Sequence, residues 1–275
     1  KIILNPPKNM PVNHEDELIV FAEDDSTIKY FDEPVFSPTI TSIPDVKTSI
    51  RNQRVALLNW TTKTKIIVEK LCSYLPEKSE LEVYVSELSE EMENTKKLLA
   101  EDYPDINITI KSIDFNELED LEQIQPQNFD SILILSPGGS TIEEMDAYVI
   151  SLLIRVRQIL LSKLQTKTKN YKWPKLITEV MDSENIDIIL NSGVEDFMVS
   201  NQFVSQIMAQ VSEEPLALDV YDDLFHADGS EIYIKPASNY FDFTKKETIN
   251  IKYGECMEAA QLREEIILGL QFHAE

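Results

Sequence analysis

Residues 175–210 read KLITEVMDSENIDIILNSGVEDFMVSNQFVSQIMAQ and establish the architecture of the chain. Residues 176–181 are apolar and β-branched, which predicts a strand buried on both faces. A short amphipathic helix is expected next, ending at Gly193. A second strand is predicted at residues 196–200, and Asn201 is expected to cap a helix whose apolar residues recur at intervals of one, three and four. A strand–helix–strand–helix unit of this kind predicts a parallel sheet with helices on its faces.

The residues before this unit continue the same alternation. Further strands are predicted at residues 54–60, 81–87, 107–111 and 132–135, with helices between them. After the unit, residues 213–215 join its last helix to a second helix at residues 216–225. Strands at residues 231–234 and 249–253 then predict a small lobe of mixed secondary structure.

Four blocks of the sequence resemble a known family. They are FDSILIL at 129–135, ITEVMDS at 177–183, VSNQFVS at 199–205 and GSEIYIKP at 229–236. In the same order, they are similar to the soluble C-terminal part of the CASTOR/POLLUX-type cation channels. The opening unit is also similar to the second half of an RCK domain, the regulator-of-conductance module of ligand-gated potassium channels. The likeness runs from Arg54 to the C-terminus.

The resemblance implies a domain organisation. Residues 1–33, with a strand pair at their end, would be the C-terminal tail of a preceding RCK domain, and residues 34–53, rich in Pro, Ser and Thr, a linker. Residues 54–212 would be the Rossmann-like RCK N-lobe, and residues 213–275 the helical crossover and C-terminal lobe. The expected fold is α/β: a Rossmann-like parallel sheet with helices on both faces, a crossing helix pair and a small α+β C-terminal lobe.

Composition limits the partners of the chain. Against 25 Lys and Arg residues there are 49 Asp and Glu residues, a formal net charge of −24. Such a surface repels polyanions, which argues against nucleic acid and anionic lipid as partners. Metal cations are the natural alternative, although a solvated acidic surface is the commoner meaning of an acid excess.

Cysteine usage and hydropathy bear on the compartment. Two cysteines are too few for a disulfide framework, which fits a reducing environment. No apolar run reaches the length of a membrane span, and no signal peptide is visible. With the resemblance, this places the chain on the cytoplasmic side of a membrane, attached through a pore domain outside these residues.

The turn after the first strand argues against a bound dinucleotide. A Rossmann fold places glycines there so that backbone amides approach a pyrophosphate. Residues 59–65 read NWTTKTK and contain no glycine. Asn59 stands at this turn and Glu87 where a ribose-binding acid would stand, so these two are the candidate nucleotide contacts. NAD is therefore not expected to bind in the usual manner, and Lys63 and Lys65 could instead meet another anion.

The resemblance also suggests a calcium site. In calcium-gated relatives of the RCK superfamily, acids at the ends of the fourth and fifth strands bind the ion. Glu179 matches one of them by position, while Met181 and Ser136 stand where others would be. Nearby acids that could replace them are Asp182, Glu184 and Asp187 on the following helix, and Glu144 and Asp146 across the cleft. For Glu144 and Asp146, stabilisation of a helix dipole is the commoner reading.

Catalysis finds no support in the sequence. The 3 histidines are not spaced as metal ligands and do not accompany a plausible nucleophile, and no phosphate loop, nucleophile elbow or zinc pattern occurs. An enzyme is not expected.

The resemblance therefore predicts a regulatory gating-ring region of a tetrameric potassium or cation channel. It would sense a ligand such as Ca²⁺, pair with itself through the crossing helices and pull on a pore. Two alternatives stay open: a Rossmann-like nucleotide-binding protein or enzyme, and an assembly domain without a ligand.

Overall fold

The computed structural model describes most of the chain. The described residues are 2–7, 9–11, 13–14, 16–20, 39–45, 51–138, 141–164, 173–182, 197–226, 228–244 and 250–271. They form two compact units. One unit is Ser49–Leu218, and the other combines Lys1–Thr48 with Asp219–Glu275.

The first unit is built on a six-stranded parallel sheet with the strand order β3-β2-β1-β4-β5-β6. The strands are β1 Arg54–Leu58, β2 Glu80–Val85, β3 Asn107–Ser112, β4 Ser131–Ile134, β5 Lys175–Val180 and β6 Phe197–Val199. Strand order reverses between β1 and β4, which are direct neighbours. This arrangement confirms the predicted Rossmann-like fold.

Seven α-helices fall within the described residues. They are α1 Thr64–Tyr74, α2 Glu90–Asp102, α3 Leu118–Gln123, α4 Ile142–Leu164, α5 Ser200–Glu213, α6 Ala217–Phe225 and α7 Tyr253–Gln261. The helix expected between β5 and β6 lies outside the described residues. Among the helices that are described, none has the length and apolar composition that a bilayer crossing requires.

Two apolar clusters form the core, one on each face of the sheet, because successive strand residues point to opposite faces. Along β1, Ala56 and Leu58 join the cluster that contains residues of α4. In that cluster, Val149, Leu153 and Leu160 are fully buried. Val55 and Leu57 join the other cluster, which contains residues of α1 and α2. Both faces of the sheet are therefore covered in its centre, as near-continuous apolar strands predict.

Local boundaries differ from the prediction at α5. The expected cap, Asn201, lies inside the helix, and Val199 holds the N-cap position instead. The Asn201 side-chain amide donates to the carbonyl of Met181 at 3.1 Å. The residue therefore ties α5 to the end of β5 rather than capping its own helix.

The tail and the C-terminal lobe lack the predicted strands wherever they are described. Residues 16–20, 231–234 and 250–252 have no regular secondary structure, and α7 begins at Tyr253. Strands require hydrogen-bonded neighbours, and these segments have none among the described residues. Ile234, for example, is 81% exposed. In its described part, the lobe consists of α7, a short 3₁₀-helix at Ala237–Asn239 and irregular segments.

Candidate functional site

The carboxyl edge of the sheet at the β1–β4 junction is the candidate site. Ligands of open α/β sheets bind where the strand order reverses, beyond the carboxyl ends of the strands. The chain leaves β1 at Asn59, leaves β4 through Leu135 and Ser136, and reaches the end of β5 at Glu179 and Val180. The residues that the sequence singled out at this edge can therefore be compared directly.

Asn59 fills the place where a dinucleotide fold has a glycine. Its φ is 80°, in the left-handed region, and its side chain is buried. The side-chain amide donates to the carbonyl of Leu135 at 2.8 Å, and its oxygen accepts from the Tyr148 hydroxyl at 3.3 Å. The backbone amide donates to the carbonyl of Tyr84 at 3.0 Å. Asn59 thus joins the ends of three strands and α4, and its side chain occupies space at the turn.

The start of α1 uses its own polar groups. The backbone amide of Thr61 donates to Thr64 Oγ1 at 2.7 Å, and the amide of Lys63 donates to Thr61 Oγ1 at 3.2 Å. The amide of Thr64 donates to the carbonyl of Thr61 at 3.0 Å. Several amides that would otherwise be available to an anion at a helix start already have acceptors.

Glu87, the other candidate nucleotide contact, lies two residues beyond the end of β2. It is exposed. Whether Asn59 and Glu87 contact a nucleotide stays a prediction, as does the expectation that NAD does not bind in the usual manner.

Glu179 forms an ion pair across the β1–β4 junction. Its Oε1 lies 2.6 Å from Lys63 Nζ, and the two side chains are 12% and 52% exposed respectively. Its Oε2 accepts a longer hydrogen bond, 3.4 Å, from the backbone amide of Ser136. The start of α1 and the end of β5 are joined by this pair.

A buried hydroxyl accompanies Glu179. Ser136 is 7% exposed, and its Oγ has no hydrogen-bond partner within the part of the chain that the structure describes. Buried hydroxyls normally have partners, so this oxygen is unusual, and the backbone amide of the same residue contacts the Glu179 carboxylate. The sequence suggested Ser136 only as a position where an acid was missing.

Asp146 has a structural role in the turn after β5. It is 1% exposed, and its two carboxylate oxygens accept from the backbone amides of Met181 at 2.8 Å and Asp182 at 3.0 Å. Asp182 itself is half-buried and Glu144 is exposed on the first turn of α4, where its backbone amide donates to Thr141 Oγ1 at 3.2 Å. Backbone donors therefore hold the carboxylate of Asp146 at the end of β5.

The proposed metal ligands are only partly brought together. Asp146 and Glu179 approach the same end of β5, whereas Glu184 and Asp187 lie outside the described residues. Within the described ranges, no group of three or more His, Cys, Asp or Glu side chains is arranged to hold a metal ion. The calcium site on Glu179, Asp182, Glu184, Glu144 and Asp146 stays a prediction.

An acidic recess in the other unit was not foreseen. It is lined by Ile2, Asp219, Asp222, Asp223, His226, Asp228 and Gly229. Asp223 Oδ2 accepts from the backbone amide of Ser230 at 3.0 Å. A Cβ on Gly229 would lie 1.9 Å from the carbonyl oxygen of Asp223, so only glycine permits this close turn.

The helices α5 and α6 have apolar side chains that are partly exposed to solvent. On α5, Phe203, Val204 and Met208 are 44%, 53% and 65% exposed. On α6, Leu218 and Phe225 are 55% and 50% exposed. Neither helix contains a buried residue. Apolar surface of this kind on an amphipathic helix is typical of an interaction face.

Comparison with known proteins agrees with the resemblance found in the sequence. CASTOR from Lotus japonicus is 28% identical to this chain, in a match that covers 98% of the chain and 34% of that channel. POLLUX from Lotus japonicus is 27% identical, in a match that covers 98% of the chain and 32% of that channel. The chain is similar to the CASTOR/POLLUX ion channels over nearly its whole length. The ion channel DMI1 from Medicago truncatula is 26% identical, in a match that covers 98% of the chain and 33% of that channel.

These CASTOR/POLLUX relatives are about three times as long as the chain, which spans roughly one third of their length. No family model matches the chain.

Comparison with solved structures finds two different kinds of protein that are similar to part of the chain. The human SLO3 gating ring has a TM-score of 0.37 and 12% identity, over 54% of this chain and 24% of that one. An NADPH-dependent 3-quinuclidinone reductase from Rhodotorula rubra has a TM-score of 0.34 and 12% identity, over 52% and 59%. Scores this low do not discriminate between a regulatory domain and an enzyme.

Proposed function

We propose that this chain is a regulatory region of a cation channel, of the gating-ring type. The observation that carries the proposal is the similarity to CASTOR/POLLUX ion channels over 98% of the chain. Because the chain spans about one third of those channels, the pore would lie in another part of the full protein. The chain would then act on the cytoplasmic side of the membrane.

Self-assembly is the second part of the proposal. The partly exposed apolar residues of α5 and α6 support a pairing of two copies through these helices. Burial of this surface removes apolar area from water, which favours association. Pairs would assemble further into a tetrameric ring around the pore.

Ligand sensing is the third part. The Glu179 carboxylate lies at the carboxyl edge with its side chain 12% exposed, and it contacts the backbone amide of Ser136. This acid supports a hard divalent cation as the ligand, with Ca²⁺ as the first candidate. Binding would act on the pore only if the ion favours one arrangement of the ring over another. The site would then bias the diameter of the ring, and linkers would carry the change to the pore.

The channel assignment can be tested on the gene. The reading frame upstream of Lys1 is expected to encode several apolar spans and a selectivity loop. A reading frame that starts at this chain, without such segments, would rule out a covalently attached pore.

Ligand sensing can be tested by calorimetry. Titration of CaCl₂ into the wild-type chain is expected to release heat that is lost in Glu179→Ala. Equal heats in the two proteins would remove Glu179 from the site, and Glu69→Ala, which changes a partly exposed acid on α1, is the control for loss of one carboxylate.

The strand order also suits a nucleotide-binding protein, which is the second candidate function. Two features disfavour nucleotide binding: the Asn59 side chain at the turn after β1, and the hydrogen bonds that backbone amides before α1 already make to nearby side chains. A purely structural assembly domain would form the same oligomer with and without CaCl₂, and mass measurements in both conditions distinguish it from the sensor.

A further inference from the structure

Residues 39–45, in the segment before β1, contact α7 and the residues just after it without forming a helix or strand. We propose that they are a strap: the C-terminal lobe holds them by their backbone, chiefly through Glu258, and thereby fixes the linker that leads into β1. Negative charge introduced at Thr39 opens the strap. The inference is independent of the proposed channel function and of calcium.

Glu258, on α7, is the main anchor of the strap. Its Oε2 accepts hydrogen bonds from the backbone amides of Thr39 at 2.8 Å and Ile40 at 2.9 Å. The Thr39 hydroxyl lies 3.5 Å from the same oxygen. Hydrogen bonds to an ionised acceptor are roughly twice as strong as those between neutral groups. The two amides also lower the pKa of Glu258, which keeps its carboxylate ionised.

The carboxylate of Glu258 depends on the strap for its hydrogen-bond donors. The residue is 9% exposed, although acids are almost never buried without compensation. Within the described part of the chain, its side chain accepts hydrogen bonds from Thr39 and Ile40 alone, and its Oε1 is buried without a partner. The burial of an acid at this position is therefore explained by the strap.

Arg263, two residues after the end of α7, is the second anchor. Its Nη2 donates to the carbonyl of Pro44 at 2.8 Å and to the carbonyl of Asn239 at 2.9 Å. The guanidinium group also lies over the ring of Tyr240, 5.5 Å from the ring centroid. One side chain thus ties the far end of the strap to the 3₁₀-helix at Ala237–Asn239.

Both anchors recognise backbone groups of the strap. The acid accepts from two amides and the guanidinium group donates to a carbonyl, so the side chains of residues 41–43 take no part in these bonds. Residues 46–53 connect the strap to β1 and span at most roughly 30 Å when fully extended, compared with roughly 70 Å for the whole predicted linker of residues 34–53. The strap therefore removes slack from the connection between the C-terminal lobe and β1.

Thr39 makes the strap sensitive to charge. The residue is exposed, and its Oγ1 lies 3.3 Å from Glu255 Oε1 as well as 3.5 Å from Glu258 Oε2. The neutral hydroxyl group can donate to either carboxylate. A negative group on the same side chain cannot donate, and both acids repel it across a few ångströms. Negative charge at this one position therefore weakens the Glu258 anchor without any change in the sequence of α7.

Hydrogen exchange measured by mass spectrometry tests the anchor in wild type, Glu258→Met, Glu258→Gln and Glu264→Met. Peptides that begin several residues before Thr39 report on the amides of Thr39 and Ile40. We expect Glu258→Met to speed their exchange by about tenfold or more, because the acceptor is lost, and Glu258→Gln to lie between it and wild type. Glu264 is an exposed acid just after α7 and the matched control, and Glu264→Met should change the rate by less than about twofold.

Thr39→Asp and Thr41→Asp test the sensitivity to charge. Both threonines are exposed, and both substitutions add one negative charge to the strap. Each exchange rate is divided by the intrinsic rate for its sequence, so that only protection is compared. We expect Thr39→Asp to speed exchange of the Ile40 amide by about tenfold, and Thr41→Asp to leave it within about twofold of wild type. Thr39→Asn, a neutral isostere of the aspartate variant, should retain the protection.

Exchange of the α7 amides in the same proteins establishes whether the helix stays folded. If Glu258→Met also loses protection in α7, the Thr39 variants decide, because they leave every residue of α7 in place. Amides of Thr39 and Ile40 that exchange at the intrinsic rate in wild type would overturn the inference. So would equal effects of Glu258→Met and Glu264→Met, or a protected strap in Thr39→Asp. None of these results involves a pore or calcium, so failure of the strap leaves the proposed function untouched.

Discussion

Asn59 illustrates how one side chain can stabilise the turn after a strand. It joins the carbonyls of Leu135 and Tyr84 and the hydroxyl of Tyr148 while its backbone adopts a φ of 80°. An alanine here would lose the two side-chain hydrogen bonds and also strain the backbone. A glycine would lose only the hydrogen bonds.

We therefore expect Asn59→Ala to lower the free energy of unfolding by about 3 kcal/mol and Asn59→Gly by about 1–2 kcal/mol. Urea denaturation measures both values. The order of the two variants is the informative result. Equal losses would mean that the left-handed backbone carries no cost, and the assigned role of Asn59 in the turn would be wrong.

Glu82 is a second buried acid, on β2, and it has a different environment from Glu179. The residue is 8% exposed, and its carboxylate accepts from Arg54 at 2.8 Å, from the Tyr84 hydroxyl at 2.8 Å and from Lys111. Burial alone raises the pKa of Glu82, but the hydrogen bonds from Lys111, Tyr84 and Arg54 outweigh it, and the net result is a lowered pKa.

This lowered pKa gives a pH dependence with a definite sign. When the pKa of an acid is lower in the folded than in the unfolded state, its ionised form stabilises the fold. This contribution is complete at pH values above the unfolded-state pKa, about 4.3, and is lost as the pH falls through the folded-state pKa. Glu82→Gln is expected to cost about 2 kcal/mol at pH 7 and to flatten the loss of stability below about pH 4. Unfolding measured from pH 7 to pH 2 tests this. Glu69→Gln, which changes a partly exposed acid, is the control. If Glu82→Gln lost stability at low pH as steeply as wild type does, the assignment would be contradicted.

The sequence identified several residues of the edge but not their contacts. Glu179 and Lys63 were both noted, one as a metal ligand and the other as an anion contact, yet their ion pair joins residues that are 116 positions apart. The pairing follows from the strand order, which brings the ends of β1 and β5 to one edge. The ion pair could have been predicted once the strand order was assumed. The burial of the Ser136 hydroxyl could not have been predicted in this way.

At the scale of elements, the buried strands were predictable because their signal is local. An apolar, β-branched run between turn residues needs no information about its partners, and all six observed strands lie within two residues of predicted runs. Strands in the tail and the C-terminal lobe, by contrast, would need pairing between segments that are distant in the sequence. Segments such as residues 231–234 have strand-like composition but, in the described chain, no hydrogen-bonded neighbour.

The helix α5 supports a prediction about assembly. Met208 is 65% exposed in the middle of its apolar stripe, and Ala209, the next residue, is exposed on the opposite side of the helix. We expect wild type to form a dimer or larger species in solution. Met208→Asp should shift it towards monomer because a buried unpaired carboxylate is costly, whereas Ala209→Asp should leave it assembled.

Light scattering coupled to gel filtration measures the mass of each protein. Circular dichroism before the measurement establishes that both variants fold. A monomeric wild type, or an equal effect of the two aspartates, would exclude the α5 stripe as the interface.

At the scale of the whole molecule, charge and sheet order point in different directions. The order β3-β2-β1-β4-β5-β6 is that of dinucleotide-binding domains, for which an anionic ligand is usual. The net charge of −24 repels anions at long range. At short range, the turn after β1 contains the side chain of Asn59 and the internal hydrogen bonds at the start of α1, which leave fewer free amides for an anion.

We therefore expect no stabilisation of the chain by NAD, NADH or ADP at about 2 mM. A site with a Kd of about 20 μM would add about 2.7 kcal/mol at that concentration, which raises the Tm of a protein of this size by roughly 5–10 °C. The Tm measured with each nucleotide is compared with the Tm at matched ionic strength without it. Any rise of several degrees that is specific to a nucleotide would favour the nucleotide-binding alternative, because a loop closed by Asn59 and Thr61 would then have to open.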